Sequence, residues 1–475
     1  MTPQPASSTI PAIWDLDAAT AERLTAGRWV GVTRSVRVQG AAVDSRAVTG
    51  GMIFACIRGE RVDGHDFAAV AAGAGAALIL ANRALDLPVP VLVVRDVAAA
   101  LLALAGELRQ RLTACTWIGV AGSNGKTTTK GLIAAACAGA GLPVHATRGN
   151  LNNHLGVPLT ILATPADARW AVIELGANHP GEVATLARAC APQVGCVTSL
   201  GPEHLEGFGG FLGVVDSECE LLPALPLAAP ACVGLHGLAD HCADHGTTVE
   251  AVVARIRAAA AGRDLTLFDD ATRPTGHGLI PVGAETPDGV RLGTSVGAVL
   301  VPLLGAHNRA NAALAFRVAC AAGVPAVDAA RGLAAMVPVA GRLVPTPWGR
   351  HLILDDTYNA NPASMIVGLR TLASLPGAKL AVLGAMGELG ADSAAGHRRV
   401  GAEAAALGIP LVVVGEAASA MLDGCPGALL VTDTAAAISV VRARLATATH
   451  TLLVKASRSQ RLERVVAGLT ATEAP

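Results

Sequence analysis

Apolar runs and amphipathic runs alternate along most of the chain. In its middle third, β-branched apolar runs predict strands, and the runs between them have helical periodicity. The predicted strands are residues 117–121, 171–174 and 194–200, and the predicted helices are residues 126–140 and 181–190. Strands that are apolar on both faces and separated by helices are typical of a parallel sheet covered on both sides. The pattern therefore predicts an α/β domain.

The same alternation returns in the last third of the chain. Its predicted strands are residues 351–355, 380–384, 411–414 and 451–455, and its predicted helices are residues 362–375, 397–407 and 460–469. This predicts a second α/β sheet. Between the two blocks, Gly, Pro and Asp turns interrupt residues 230–301. We expect this stretch to carry the antiparallel part of the middle domain.

The first hundred residues follow a less regular pattern. Short strand-like runs and turns surround one helical run at residues 67–77, and a longer amphipathic helix is predicted at residues 97–112. Asp96 suits the N-cap of that helix, because its carboxylate can accept a hydrogen bond from a free N–H of the first turn. We therefore place a domain boundary near Val97.

Composition and charge narrow the classes of function. Of 475 residues, 52% are apolar and 15% are charged, so the chain can bury enough surface to fold. A net charge of −1 and very few aromatic residues disfavour a nucleic-acid partner, which needs basic side chains and stacking platforms.

The cysteines and the apolar runs indicate in which cellular compartment the protein is expected. The ten Cys form no Cys-x-x-Cys pair, which argues against a zinc site or a disulfide framework and fits a reducing compartment. Apolar runs stay shorter than the ~20 residues that cross a bilayer, and the N-terminus lacks a signal pattern. We expect a cytoplasmic protein with no membrane span.

The strongest chemical signal is a glycine-rich turn between a predicted strand and a predicted helix. It reads Gly119-Val120-Ala121-Gly122-Ser123-Asn124-Gly125-Lys126-Thr127-Thr128. In such a loop, backbone N–H groups converge on phosphate oxygens, the lysine meets the β- and γ-phosphates, and the threonine ligates Mg²⁺. Val120 stands where the common pattern has its first glycine. An ordinary glycine-rich turn is the alternative, but the order strand, Gly-Lys-Thr, helix favours an ATP site.

A carboxylate and a histidine follow the neighbouring predicted strands. Glu174 ends one strand, and His204 lies in the loop after the next. Because the carboxyl ends of parallel strands meet at one edge of a sheet, we expect both side chains near the phosphate loop, where Mg²⁺ is held. The alternatives are a locally capping glutamate and a solvated loop histidine.

Six motifs, in this order along the chain, resemble those of the Mur ligases. After the phosphate loop they are Gly149-Asn150-Leu151-Asn152-Asn153, Glu174-Leu175-Gly176-Ala177-Asn178, His204-Leu205-Glu206-Gly207-Phe208-Gly209, Gly305-Ala306-His307-Asn308-Arg309-Ala310-Asn311 and Asp355-Asp356-Thr357-Tyr358-Asn359-Ala360-Asn361-Pro362. The resemblance extends from Asp44 to Arg458. The Gly149 motif, the Tyr358 run and Met386-Gly387-Glu388-Leu389-Gly390 look like the branch of the family that adds D-alanyl-D-alanine.

The resemblance implies three domains and an activity. The domains are an N-terminal UDP-substrate domain (1–97), a central P-loop ATPase sheet (98–337) and a C-terminal Rossmann-like domain (338–475) that closes over the nucleotide. The implied activity is an ATP- and Mg²⁺-dependent ligation of D-alanyl-D-alanine to UDP-N-acetylmuramoyl-tripeptide through an acyl phosphate, in peptidoglycan precursor synthesis. Both partners are small molecules, and we expect a monomer.

The resemblance also assigns roles to residues. Catalysis is expected of Lys126, Glu174, His204 and Arg342. The nucleotide is expected at Gly122, Ser123, Asn124, Gly125, Lys126, Thr127, Thr128, Asn308, Asn311, Arg342, Asp356, Tyr358 and Asn359. The substrates are expected at Ser45, Arg46, Asn150, Asn152, Asn153, Lys455, Ser457 and Arg458. The metal ligands are expected to be Thr127, Glu174, His204 and Glu218.

Four positions depart from the family pattern. Where the family usually has a lysine that becomes carbamylated and assists a second Mg²⁺, this chain has Glu218. Both side chains end in a two-oxygen anion, so we expect Glu218 to replace the carbamate; a solvated helix glutamate is the alternative. Ala340, Ala385 and Ala456 replace a usual Pro, Asp and Gly near the expected third-domain contacts.

Two other functions stay open on the sequence. One is a Mur-type amide ligase with a different amino-acid substrate, which assays with other amines would reveal. The other is a nucleotide-binding regulatory homologue, which would show no amine-dependent turnover. The constellation of Glu174, His204 and asparagines disfavours the regulator, because a switch needs no acyl-phosphate site.

Overall fold

A computed structural model describes residues 11–31, 35–268, 288–445 and 448–471 of the chain. Three α/β units follow one another, each built on its own sheet, with an additional two-stranded pair in the first and in the second. Most of the strand pairs in the three main sheets are parallel, which is the predicted fold class. Within these described residues, no helix is both long enough and apolar enough to cross a membrane.

The first unit has a five-stranded sheet in the order β2-β7-β6-β5-β4, and β1 pairs with β3 apart from it. Its elements are β1 (Trp14–Asp17), α1 (Ala18–Thr25), β2 (Arg28–Val30), β3 (Ser35–Val38), β4 (Ala41–Ala42), β5 (Ile53–Ala55), α2 (Ala68–Gly73), β6 (Leu78–Ala81), β7 (Val91–Val93) and α3 (Val97–Arg111). The Asp96 carboxylate accepts a hydrogen bond from Ala99 N–H at 3.0 Å, so the predicted cap of α3 is confirmed.

The second unit has a six-stranded sheet in the order β13-β12-β11-β8-β10-β9, with every pair parallel. Its first elements are β8 (Thr116–Ala121), α4 (Lys126–Ala138), β9 (Val144–Ala146), α5 (Gly156–Leu162), β10 (Trp170–Glu174), α6 (Glu182–Cys190), β11 (Val194–Val197), α7 (Leu205–Phe208) and α8 (Phe211–Glu218). Its later elements are β12 (Pro230–Gly234), α9 (Leu238–Asp244), α10 (Val249–Ala259), β13 (Asp264–Phe268), β14 (Val290–Thr294), β15 (Gly297–Val301), α11 (Ala306–Ala321) and α12 (Ala326–Ala334).

The expectation for residues 230–301 was wrong in its first half. β12 and β13 extend the parallel sheet beyond β11, and among the described residues of this stretch only the β14–β15 hairpin is antiparallel. The turns that interrupt this stretch separate strands and helices without changing strand direction, since α9 and α10 return the chain to the start of the next parallel strand. Residues 269–287 lie outside the described part of the chain.

The third unit has a six-stranded sheet in the order β16-β17-β21-β18-β19-β20, in which only the edge strand β16 runs antiparallel to its neighbour. Its elements are β16 (Val344–Trp348), β17 (His351–Asp356), α13 (Pro362–Ser374), β18 (Ala378–Gly384), α14 (Ser393–Ala406), β19 (Leu411–Val414), α15 (Met421–Gly424), β20 (Leu429–Val431), α16 (Thr434–Arg444), β21 (His450–Lys455) and α17 (Glu463–Thr470). The predicted alternation in this block is confirmed.

The packing fixes where loops from different elements meet. α3 packs against α1, α5 and α6, so one apolar core runs from the first unit into one face of the second. In the central sheet, Glu174 lies opposite Val120, and Val197 lies opposite Ala121. Strands β8, β10 and β11 therefore end level with one another, and the loops after them share one edge.

Candidate active site

The phosphate loop connects β8 to α4, and two of its glycines have backbone conformations that L-side chains rarely adopt. Gly122 has φ +120°, and a Cβ there would lie 2.6 Å from the Thr198 backbone nitrogen. Gly125 has φ +79°, and a Cβ there would press on the Asn311 side chain at 3.1 Å. Glycine is therefore required at both positions, because the curled loop leaves no room for a side chain there.

Lys126 begins α4 and lies among oxygen atoms. Its ammonium donates to the Ser123 carbonyl at 3.1 Å and lies 3.2 Å from Glu203 Oε1 and 3.9 Å from Glu218 Oε1. Burial by itself would lower the pKa of Lys126, but the carboxylates of Glu203, Glu218 and Glu174 outweigh it and raise that pKa. The side chain is therefore a fixed cation at the floor of the site.

Glu174 ends β10 and lies beside the start of α4. Its Oε1 accepts hydrogen bonds from Thr127 Oγ1 at 3.1 Å and from Asn152 Nδ2 at 2.9 Å. Its Oε2 is buried and has no hydrogen-bond donor in the described part of the chain. A carboxylate oxygen without a hydrogen-bond donor, next to a threonine hydroxyl, is the kind of donor set that Mg²⁺ prefers, so these residues fit the ion.

His204 lies at the start of α7 with φ +44°, an unusual conformation for a residue with a side chain. Its Nδ1 is 3.9 Å from Glu388 Oε2 of the third unit, and Glu388 also has a positive φ of 61°. Burial lowers the pKa of His204, which favours the neutral imidazole that can act as a metal ligand.

The third unit closes one side of the site. Arg342 lies with its guanidinium carbon 4.2 Å from the centre of the Tyr358 ring, and its Nε is buried with no partner among the described residues. Asn361 Nδ2 donates to Asn124 Oδ1 of the phosphate loop at 3.0 Å. Between these groups lies a cavity of about 810 Å³, large enough for a nucleotide and part of a second substrate.

Most of the predicted site residues meet at this cavity. Its walls include Ser123, Asn124, Gly125, Lys126, Thr127, Thr128, Asn150, Asn152, Asn153, Glu174, His204, Arg342, Tyr358 and Asn359. Asn308 and Asn311 are buried on α11, and Asn311 lies directly behind Gly125. Asn311 therefore supports the phosphate loop from behind, and it donates in turn to Asn308 Oδ1 at 3.3 Å.

Of the residues predicted to contact the dipeptide in the third unit, Lys455 and Ser457 are buried. Lys455 is 2% exposed and forms an ion pair with the buried Asp356 at 2.8 Å. Burial lowers the pKa of Lys455 and raises that of Asp356, and their mutual attraction opposes both shifts. Ser457 Oγ accepts from Gly387 N–H at 2.6 Å, and the exposed Arg458 lies 3.7 Å from Glu463. These contacts hold the third unit's loops together.

The predicted uridine-end residues lie in the first unit, where the Arg46 guanidinium pairs with Asp44 at 2.6 Å and stays exposed. Glu218, in contrast, is fully buried at the end of α8, so a solvated glutamate is wrong. Its Oε2 accepts from Gly122 N–H at 2.5 Å, which places the carboxylate directly behind the phosphate loop.

Three residues at the site were missed by the sequence reasoning. Glu203 carries a carboxyl hydrogen-bonded to Glu218, and burial raises its pKa well above the usual range. Glu388 faces His204, and Lys130 is 3.6 Å from Glu174. Glu388 lies inside a motif named above, Glu203 directly precedes the His204 motif, and Lys130 follows Lys126 by four residues on one helix face. Only the last spacing could have been used as a signal.

Comparison with known proteins agrees with this geometry. Family models match three parts of the chain: the "Mur ligase family, catalytic domain" at residues 37–108, the "Mur ligase middle domain" at 120–319 and the "Mur ligase, glutamate ligase domain" at 341–458. The UDP-N-acetylmuramoyl-tripeptide–D-alanyl-D-alanine ligase of Escherichia coli is 37% identical over 91% of this chain and 94% of its own. The chain belongs to the Mur ligase family.

Solved Mur ligase structures share the whole architecture. MurF from Acinetobacter baumannii superposes with a TM-score of 0.85 at 30% identity, covering 97% of this chain and all of its own. MurF from Thermotoga maritima, solved in complex with ADP, superposes with a TM-score of 0.76 at 26% identity over 91% of this chain and 97% of its own. The three units are thus those of a three-domain Mur ligase.

Proposed function

We propose that this Mur ligase uses ATP to join D-alanyl-D-alanine to UDP-N-acetylmuramoyl-tripeptide, a step of peptidoglycan precursor synthesis. The observation that carries the proposal is the cavity in which the phosphate loop, Glu174 and the third-domain Arg342 face one another. The names and full-length coverage of the relatives give the substrates.

The reaction has two steps, a phosphoryl transfer followed by the formation of the amide bond. An oxygen of the tripeptide carboxylate attacks the γ-phosphorus, the bond to the β,γ-bridging oxygen breaks, and ADP leaves. The amine of D-alanyl-D-alanine then attacks the acyl carbon, the carbon–oxygen bond to phosphate breaks, and the amine loses a proton. In such chemistry the protein chiefly positions the reactants and neutralises charge.

The residues of the cavity supply those two needs. Lys126 lines the cavity, where it can meet the β- and γ-phosphates, and Arg342 adds a second positive charge to the cavity wall. We propose that Thr127, Glu174 and His204 hold Mg²⁺, with Glu218 as a fixed anion behind the loop in place of the carbamate. Bound Mg²⁺ would neutralise the charge of the phosphates.

The remaining assignments are part of the same proposal. The domains 1–97, 98–337 and 338–475 would bind the UDP end, the ATP and the incoming dipeptide. Ser45 and Arg46 are proposed for the uridine end, and Asn150, Asn152 and Asn153 for the peptide end of the first substrate. Cytoplasmic location and a monomeric state stay predictions.

The experiment is ADP release measured with UDP-tripeptide in the presence and absence of D-alanyl-D-alanine. We expect sustained release only when both are present, because without the amine the acyl phosphate is not consumed and at most one ADP forms per active site. We expect no release for Lys126→Ala, because the phosphates lose their fixed cation. Near-normal ligation by that variant would contradict the phosphate-loop assignment. Turnover with glutamate or a diamino acid in place of the dipeptide would indicate a different Mur-type ligase.

A further inference from the structure

A second lysine of α4, Lys130, lies one turn beyond Lys126 and is 6% exposed. Its ammonium donates to the Thr147 carbonyl at 2.7 Å and to the Gly149 carbonyl at 3.3 Å, and lies 3.6 Å from Glu174 Oε2. A buried ammonium is costly unless oxygen atoms surround it, so these three contacts fix where its charge lies.

The neighbours of Lys130 belong to two parts of the site. Thr147 and Gly149 begin the asparagine segment (residues 147–153), which carries Asn150, Asn152 and Asn153 to the cavity wall. Glu174 Oε2 is the oxygen of the proposed metal ligand that accepts no hydrogen bond from the described residues. The segment and Glu174 also meet directly, because Thr147 Oγ1 accepts from Glu174 N–H at 2.9 Å.

Lys130 therefore shares one carboxylate oxygen with any cation that binds there. A divalent ion at Glu174 Oε2 and an ammonium 3.6 Å from the same oxygen repel each other. The ammonium can yield without leaving its buried position, because the carbonyls of Thr147 and Gly149 remain as acceptors.

We propose that Lys130 is a positioning residue that couples cation binding at Glu174 to the placement of the asparagine segment. The inference rests on the proposed function, in which Glu174 holds Mg²⁺ and the segment contacts the first substrate. When the ion binds, Lys130 shifts its bonding toward the two carbonyls and fixes the segment. Without Lys130, the ion meets one competing cation fewer, and the segment loses its tie to α4.

Lys130→Met tests the coupling because it removes the charge and keeps an unbranched side chain of similar length. By calorimetry, we expect the Mg²⁺ concentration that half-saturates Mg²⁺-dependent ADP binding to fall at least about threefold, since a repelling charge is gone. We expect the KM for UDP-tripeptide to rise at least about fivefold, since the segment is less well placed. If Lys130 only stabilised the fold, replacing it would weaken both Mg²⁺ binding and the binding of UDP-tripeptide.

The control is Lys379→Met, since Lys379 donates to the Leu375 carbonyl in the third domain, away from the cavity. Both parameters should stay at wild-type values there. Weakened or unchanged Mg²⁺ binding in Lys130→Met, or an unchanged KM, would overturn the coupling. Absence of Mg²⁺-dependent ADP binding in the wild type would instead contradict the proposed metal site.

If Lys130→Met does not fold, hydrogen exchange in the wild-type enzyme tests the same coupling between cation binding and the asparagine segment. Amides of residues 147–153 should exchange more slowly with Mg²⁺ and ADP than with ADP and a chelator. Equal exchange under the two conditions would overturn the coupling.

Discussion

At the scale of single residues, the site depends on two carboxylates around one ammonium group. Glu203 and Glu218 both face Lys126, and Glu218 also accepts the Gly122 N–H. A fully buried carboxylate is tolerated only where hydrogen bonds and a cation offset its desolvation. Glu218 therefore has two separable roles, as a hydrogen-bond acceptor for the loop and as a fixed negative charge.

Variants of Glu218 should separate those roles. Glu218→Ala leaves a buried N–H unpaired, at a cost of about 1–3 kcal/mol, and we expect a lower melting temperature. We also expect ADP release to slow about tenfold or more and to need more Mg²⁺, because a placed charge is lost. Glu218→Gln should have the melting temperature of the wild type but should still need more Mg²⁺. An unchanged rate and Mg²⁺ dependence in Glu218→Ala would refute the carbamate replacement.

The single tyrosine of the chain supports Arg342. The guanidinium lies 4.2 Å from the ring centre, a contact worth about 0.5–2 kcal/mol. Tyr358→Leu should therefore lower kcat/KM for ATP by about two- to thirtyfold, whereas Tyr358→Phe keeps the ring and should stay near wild type. Equal losses in both variants would assign the effect to the hydroxyl instead of the stacking.

At the scale of elements, helix ends bring the domains together. Asn361 caps α13 by accepting Ser364 N–H at 2.8 Å, and its Nδ2 reaches Asn124 in the phosphate loop. The same residue thus caps the start of a helix of the third domain and contacts the phosphate loop of the second. Asn361-Pro362 was readable as a helix start, because Asn at the N-cap and Pro at the first position are both favoured.

Two substitutions of Asn361 distinguish its capping of α13 from its hydrogen bond to Asn124, which bridges the two domains. Asn361→Ala should lose about 1 kcal/mol of stability and also the contact with Asn124. Asn361→Ser keeps a capping oxygen and should melt like the wild type, but both variants should show a higher KM for ATP. If Asn361→Ser bound ATP normally, the bridge to Asn124 would have no role in nucleotide binding.

At the scale of the whole molecule, the third domain meets the second through buried and exposed contacts. Arg399 of α14 pairs with Asp244 of α9 at 2.8 Å, and about half of each side chain is exposed. Exposed ion pairs contribute about 0–1 kcal/mol and are screened by salt. The closed arrangement should therefore depend mainly on the groups at the cavity.

Charge reversal measures how much the Arg399–Asp244 pair contributes to holding the second and third domains together. Arg399→Asp should raise the KM for ATP by less than about fivefold, and adding Asp244→Arg should restore it. The effect should vanish at about 0.5 M salt. A loss above about tenfold that persists in salt would mean that this pair, more than the cavity contacts, holds the domains closed.

The sequence by itself determined the α/β alternation, the cap at Asp96 and the strand–loop–helix order around Lys126. Each depends on neighbours within a few residues, and such neighbours leave a periodic or punctuated pattern. Only the tertiary structure decided that residues 230–268 extend the parallel sheet, and that Glu203 and Glu218 lie against Lys126 and the phosphate loop. Those contacts join residues far apart in sequence, and they arise from strand order and domain packing, which leave no mark on the local pattern.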